Sequence, residues 1–164
     1  MASYCAVTVY YEPRRVSYTR ICDLALRLSP RLRVRADEGR LHEIPVVYGG
    51  PDLEETAAEL GLEVAQVVQM HSEKTYRVFL IGFLPGQPYL GPLPARLRLA
   101  RVATPRAQVP AGSVAIAGRQ TIVYPWVSPS GWHVLGRTSM KLFHPDSEPP
   151  ALLRAGDRVR FVPA

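Results

Sequence analysis

Several things are scarce in this 164-residue chain. It has two cysteines, Cys5 and Cys22, and four histidines, His42, His71, His133 and His144, none at a metal-binding spacing. Two isolated cysteines read as buried thiols rather than a disulfide framework, and no metal site is expected. Two lysines stand against 18 arginines. No apolar run approaches the roughly 20 residues that a membrane-spanning helix needs. The N-terminal stretch "MASYCAVTVYYEP" has no basic leader region and soon turns charged, so it does not read as a signal peptide. These absences point to a cytoplasmic protein with no membrane association. Catalytic signatures are missing too: no G-x-x-x-x-G-K-[ST] phosphate loop, no G-x-G-x-x-G opening a helix, no G-x-S-x-G elbow.

What is present is a globular composition, 47% hydrophobic, with a net charge of +6. The densest basic cluster, "RLSPRLRVRADEGR" (27–40), has no interleaved aromatics. It reads as a solvated or partner-docking face rather than a nucleic-acid site.

The pattern along the chain changes twice. "AVTVYYEP" (6–13) is β-branched and aromatic and reads as a strand stopped by Pro13. "SYTRICDLALRLS" (17–29) carries apolar residues at helical spacing, with Ser17 as N-cap. One strand and one helix cannot bury both faces, so this piece looks incomplete and its strand edge needs a partner chain. "HEIPVVYGG" (42–50) reads as a strand. "PDLEETAAELG" (51–61) reads as a helix capped by Asp52 and closed by Gly61, and "LEVAQVVQMHS" (62–72) as a second helix ending at His71. From Tyr76 onward, β-like runs alternate with Gly and Pro: "YRVFLIGF", "SVAIAG", "TIVYPW", "WHVLGR", "MKLFHP" and "RVRFVPA". Such spacing implies a closed barrel or sandwich, with a hairpin-like end at "RAGDRVRFVPA". Between them, "GFLPGQPYLGPLP" (82–94) packs four prolines and three glycines and reads as a rigid loop.

Polar groups able to hold a small ligand flank these rigid loops: Arg106, Gln120, Thr121, Tyr124, Arg137 and Thr138. Arginine suits a carboxylate or phosphate because its planar fork donates two parallel hydrogen bonds. Gln, Thr and Tyr can orient an amide. If the loops converge at one barrel mouth, they form a polar-lined pocket. A plainer reading stands beside this one: glycine and proline are ordinary turn residues, Trp132 and Tyr124 are core aromatics, and His71 is a structural hydrogen-bonder.

The runs "HSEKTYRVFLIGFLPGQPYLGPLP", "ATPRAQVPAGSVAIAGRQTIVYP", "SPSGWHVLGRTSMKLF" and "LLRAGDRVRFVP" resemble, in order and spacing, the family of the B-type subunit of 5-oxoprolinase, also called KipI or allophanate hydrolase subunit 1. The resemblance covers about three quarters of the chain, from His42 to Ala164. It implies a mainly β protein with an α/β part: a truncated ferredoxin-like α/β remnant over residues 1–40, then a cyclophilin-like β-barrel over 41–164. It implies a non-autonomous subunit of an ATP-dependent 5-oxoprolinase, opening the lactam of 5-oxoproline to glutamate. The partners would be a KipA-like protein, the C-type component, and a LamB/YcsF-like protein, the A-type component. ATP would enter at the level of the complex, with none bound by this chain. On that reading, Arg106 or Arg137 pairs with a substrate carboxylate or phosphorylated intermediate, Gln120, Thr121 and Tyr124 orient the amide, and Thr138 is a further substrate-binding group. His71 shuttles a proton, and Phe83, Pro85, Gly86, Tyr89 and Trp132 form the pocket wall. A KipI-type inhibitor of a sensor histidine kinase is the alternative, and a truncated paralogue that lacks the activity is a third. The chain departs from the family pattern at Gln87, usually aromatic, and at Ser130, usually glycine. It also matches only the last strand and helix of the N-terminal domain.

Overall fold

The computed structural model describes residues 8–28 and 39–164. Cys5, the start of the 6–13 run and most of the 27–40 basic cluster lie outside the described residues. The chain divides into two compact units, Met1–Asp37 and Glu38–Ala164.

In the first unit, α1 spans Tyr18–Leu28. Ser17 caps it, its hydroxyl accepting the Arg20 N–H at 3.3 Å. Thr8–Glu12 are not in a strand, contrary to expectation. The expected strand ran over 6–13, and Ala6 and Val7 lie outside the described residues.

The second unit is built on a closed barrel. Its strands are β1 (Leu41–Tyr48), β2 (Thr75–Ile81), β3 (Pro88–Gly91), β5 (Ser113–Ala117), β6 (Gln120–Val123), β8 (His133–Arg137) and β9 (Arg158–Pro163). They run in the order β1-β8-β5-β6-β3-β2-β9, and β9 closes the ring by pairing parallel with β1. Two further strands, β4 (Arg106–Val109) and β7 (Ser128–Ser130), form a separate ribbon. Helices α2 (Leu53–Leu60) and α3 (Val64–Ser72) lie between β1 and β2.

Period-two alternation fills the barrel. Ile44 and Val46 of β1, Tyr76 and Val78 of β2, Val114 and Ile116 of β5, and Val159 and Phe161 of β9 all enter one core. β5 is buried on both faces. Its other side, Ala115 and Ala117, packs with Ile122, Tyr124, Trp132, Val134 and Val109 into a second core on the barrel's exterior.

Three readings of the C-terminal half need correction. "MKLFHP" is not a strand; it contributes one isolated bridge, Phe143 to Ala151. "GFLPGQPYLGPLP" is not all loop, because β3 lies within it, paired to β2 and β6. Pro88 is tolerated because it opens the strand, where a missing N–H breaks no interior rung. Finally, β9 does not end a hairpin: its neighbours are β1 and β2. The turn before it is tied down by Asp157, whose carboxylate accepts the Arg40 N–H at 3.0 Å and the Arg154 N–H at 2.9 Å.

Candidate functional site

A cleft of about 1270 Å³ opens where the end of β1, the β4–β5 turn, the end of β6 and the segment after β8 meet. Its walls include Val47, Tyr48, Trp126, Met140, Leu142 and Phe143. It exceeds the roughly 300–1,000 Å³ usual for a small-molecule pocket. Glycines let these segments approach. Gly112 sits at φ +82, and a Cβ there would meet the Thr138 carbonyl oxygen at 2.2 Å. Without it, the Thr138 N–H donates to the Gly112 carbonyl at 2.9 Å and the Gly112 N–H to that of Tyr124 at 2.6 Å.

Two arginines reach the cleft in different states. Arg106 is held by a bidentate pair with Asp52, one contact at 2.8 Å. Asp52 is itself buried and also accepts the Val134 N–H at 2.7 Å. The expected capping role of Asp52 is therefore corrected: its side chain caps nothing on α2. Its oxygens are taken instead by the Arg106 guanidinium and the Val134 N–H. Arg137 differs. Its Nε donates to the Ala111 carbonyl at 3.0 Å. Among the described residues no carboxylate lies within ion-pair distance of it. Among the described residues, Arg137 and Lys141 are thus the cleft's lysine and arginine side chains without an ion-pair partner. The Thr138 hydroxyl accepts the Met140 N–H at 3.1 Å, leaving its own O–H to donate.

The structure brings Arg106, Tyr124, Arg137 and Thr138 to this cleft. It places the other expected residues elsewhere. Gln120 lies at the β5–β6 turn, paired with Ala117. Phe83 is 70% exposed at the tip of the β2–β3 turn. Pro85 and Gly86 support the cleft wall from behind. The Pro85 carbonyl accepts the Trp126 indole N–H at 3.1 Å. A Cβ on Gly86 would meet Phe143 Cβ at 2.8 Å. Tyr89 and Trp132 meet each other edge to face on the second core. Sequence reasoning gave no site role to Asp52, Tyr48, Trp126, Met140, Lys141 or Phe143. Asp52 was masked by its cap-like position, and the others by looking like core or turn.

His71 and Thr121 are buried together inside the barrel. The His71 Nδ1 is 2.7 Å from the Tyr48 hydroxyl and its Nε2 is 2.9 Å from Thr121 Oγ1. Thr121 donates its proton to the Ala115 carbonyl, so it accepts from Nε2–H. Nδ1 is then bare and accepts from Tyr48. The ring stacks on Phe161 at 4.6 Å. Burial pushes the imidazole down to about 3 and the Tyr48 phenol upward, so both stay neutral. His71 touches the cleft only through Tyr48. The imidazole is fully buried, so a proton passing between it and the cleft would have to travel through the Tyr48 hydroxyl.

Among the described residues, no group of three His, Cys, Asp or Glu side chains could hold a metal ion, and no helix is long and apolar enough to cross a membrane.

Comparison with known proteins adds the following. The family model described as carboxyltransferase domain, subdomain C and D, matches residues 1–153. The chain is 56% identical over 129 residues to a protein of Escherichia coli O157:H7 named as the B-type subunit of 5-oxoprolinase, covering 77% of this chain and 59% of that one. It is 49% identical over 126 residues to a Bacillus subtilis (strain 168) protein of the same name, covering 75% of this chain and 52% of that one. The chain thus spans little more than half the length of these curated relatives. Among solved structures, the conserved uncharacterized protein PH0987 from Pyrococcus horikoshii superposes with a TM-score of 0.74 at 44% identity, over 94% of this chain and 72% of that one.

Proposed function

Because the chain belongs to the family of the carboxyltransferase domain, subdomain C and D, we propose that it is a non-autonomous subunit of an ATP-dependent 5-oxoprolinase-type amidohydrolase. The observation that carries this is the 56% identity, over three quarters of the chain, to a relative named as the B-type subunit of 5-oxoprolinase. The cleft supports it. Arg137 offers an uncompensated fork for the carboxylate of 5-oxoproline, and the Thr138 O–H offers a donor for its lactam carbonyl. Arg106 holds α2 and β4 together through Asp52 and presents little net charge. The cleft is also larger than a lactam requires. It therefore leaves room for groups from a KipA-like partner, with ATP and a LamB/YcsF-like protein joining at the level of the complex.

The test is reconstitution with the cognate partner proteins, following ATP-dependent release of glutamate from 5-oxoproline. Wild type should be active. Arg137→Ala should lose roughly 10- to 100-fold in kcat/KM, the worth of a charged hydrogen bond. An inactive wild-type complex sinks the function. Full activity in Arg137→Ala sinks the assignment of the cleft.

One observation favours a second reading as a KipI-type inhibitor of a sensor histidine kinase. Phe83 stands 70% exposed with a left-handed backbone, φ 71, the kind of projecting anchor that interfaces use. A kinase pull-down unaffected by Phe83→Ala would remove that reading.

A further inference from the structure

The outer face of the barrel carries two arginines that the fold places together and leaves without an acid. β2 pairs antiparallel with β9, and Arg77 stands directly opposite Arg158. Their neighbours Tyr76, Val78 and Val159 enter the core, so by strand alternation both arginines face outward. A ladder holds such a pair with Cβ atoms about 4.5–5.5 Å apart, and like charges directly opposite each other are destabilising. The rest of the row carries no charge to relieve them. Leu41 of β1 is paired with Arg158, and Gly91 of β3 with Arg77. The carboxylates at this end of the barrel are already engaged. Glu43 of β1 pairs with Arg160. Asp157 accepts the Arg40 and Arg154 N–H groups and faces His42 Nε2 at 3.3 Å. Among the described residues no carboxylate lies within ion-pair distance of Arg77 or Arg158. The Arg158 Nε is moreover buried with no hydrogen-bond partner among them.

We propose that Arg77 and Arg158 form a binding site for a phosphate group. Each guanidinium offers a planar fork of parallel N–H donors, a geometry that matches phosphate oxygens. A phosphate group carries close to two negative charges near neutral pH, so a single group balances both arginines. A carboxylate carries one charge and is matched by one fork, which leaves the second arginine as it was. Arg158 gives up no hydrogen bond at Nε in turning toward the anion, because that atom has no partner to lose. The face is open, so it admits inorganic phosphate and the phosphate of an ester alike. Neither arginine lines the cleft, and the proposal does not depend on the 5-oxoprolinase reading.

The test is titration of the full chain with inorganic phosphate, followed by NMR through the arginine Nε–H signals. Ionic strength is held constant, because exposed charges are screened by salt. Acetate serves as the singly charged control and methyl phosphate as the ester. Phosphate should shift the Arg158 Nε–H signal to saturation and bind about tenfold or more tightly than acetate. Arg77→Met and Arg158→Met each keep an apolar stem and remove the charge. Each should weaken phosphate about tenfold, the worth of a charged hydrogen bond. Arg160→Met, whose guanidinium is already paired with Glu43, should leave binding unchanged. Without phosphate, Arg77→Met should melt no lower than wild type, because it relieves the like-charge pair. Equal binding of methyl phosphate assigns the site to phosphate esters, and binding of inorganic phosphate alone assigns it to the free ion. The proposal is overturned by no saturating shift at about 10 mM phosphate, by equal binding of acetate, or by binding that survives both substitutions. It is overturned equally if Arg160→Met abolishes binding, or if Arg77→Met lowers the melting temperature by several degrees.

Discussion

Burial decides what His71 and Asp52 do. His71 is neutral in the folded protein because burial holds its pKa near 3, against 6.5 in the unfolded chain. Between those values the unfolded chain binds a proton that the native state refuses. Stability from this residue is therefore complete above about pH 6.5 and falls as pH drops toward about 3. The expected slope is one proton, about 1.4 kcal/mol per pH unit. Urea unfolding at several pH values should show that slope in wild type and lose it in His71→Gln. An unchanged slope in the variant would mean that another group causes the acid loss. Asp52→Ala removes the acceptor of both Arg106 and the Val134 N–H. Breaking a buried ion pair costs about 3–5 kcal/mol, but Arg106 is partly exposed and can turn to water, so roughly 2 kcal/mol is expected here. Denaturant midpoints would measure it, and a loss below about 0.5 kcal/mol would show the pair to be a mere surface contact.

At the scale of elements, the readable ones were those with a strong local pattern. The helix over 17–29, the helix closed by Gly61 in left-handed conformation, and strands β1, β2, β5, β6, β8 and β9 follow from periodicity and punctuation. β3, β4 and β7 were not legible. They are three or four residues long, rich in Pro or polar side chains, and exist because a neighbour supplies the ladder. "MKLFHP" shows the converse: an apolar run without a partner stays irregular. The turn at Gly112 is where local geometry most directly holds the cleft. Gly112→Ala combines positive φ with a backbone clash. It should cost at least about 2 kcal/mol and lower the melting temperature by several degrees. A scan showing no loss would mean that the turn repacks without strain.

At the scale of the whole molecule, a barrel closes on itself within one unit of the chain. All the barrel strands lie within Glu38–Ala164. In the first unit, α1 buries none of its residues and leaves Tyr18, Leu24, Leu26 and Leu28 exposed. Removing residues 1–38 should leave the barrel's melting temperature within a few degrees in a thermal scan. A collapse of the barrel on deletion would show that the first unit is part of its support. What the sequence settled by itself was the β-rich class, most strands and the family resemblance, because hydrophobic periodicity and Gly/Pro punctuation act locally. It also supplied the list from which the site is drawn. Only the tertiary structure separated that list. It sent Arg106 to Asp52, His71 and Thr121 into the core, Pro85 and Gly86 behind the cleft wall, and Tyr89 and Trp132 to a second cluster. Which charge is compensated depends on residues distant in the chain, as Arg106 and Asp52 show, and no local pattern records those distances.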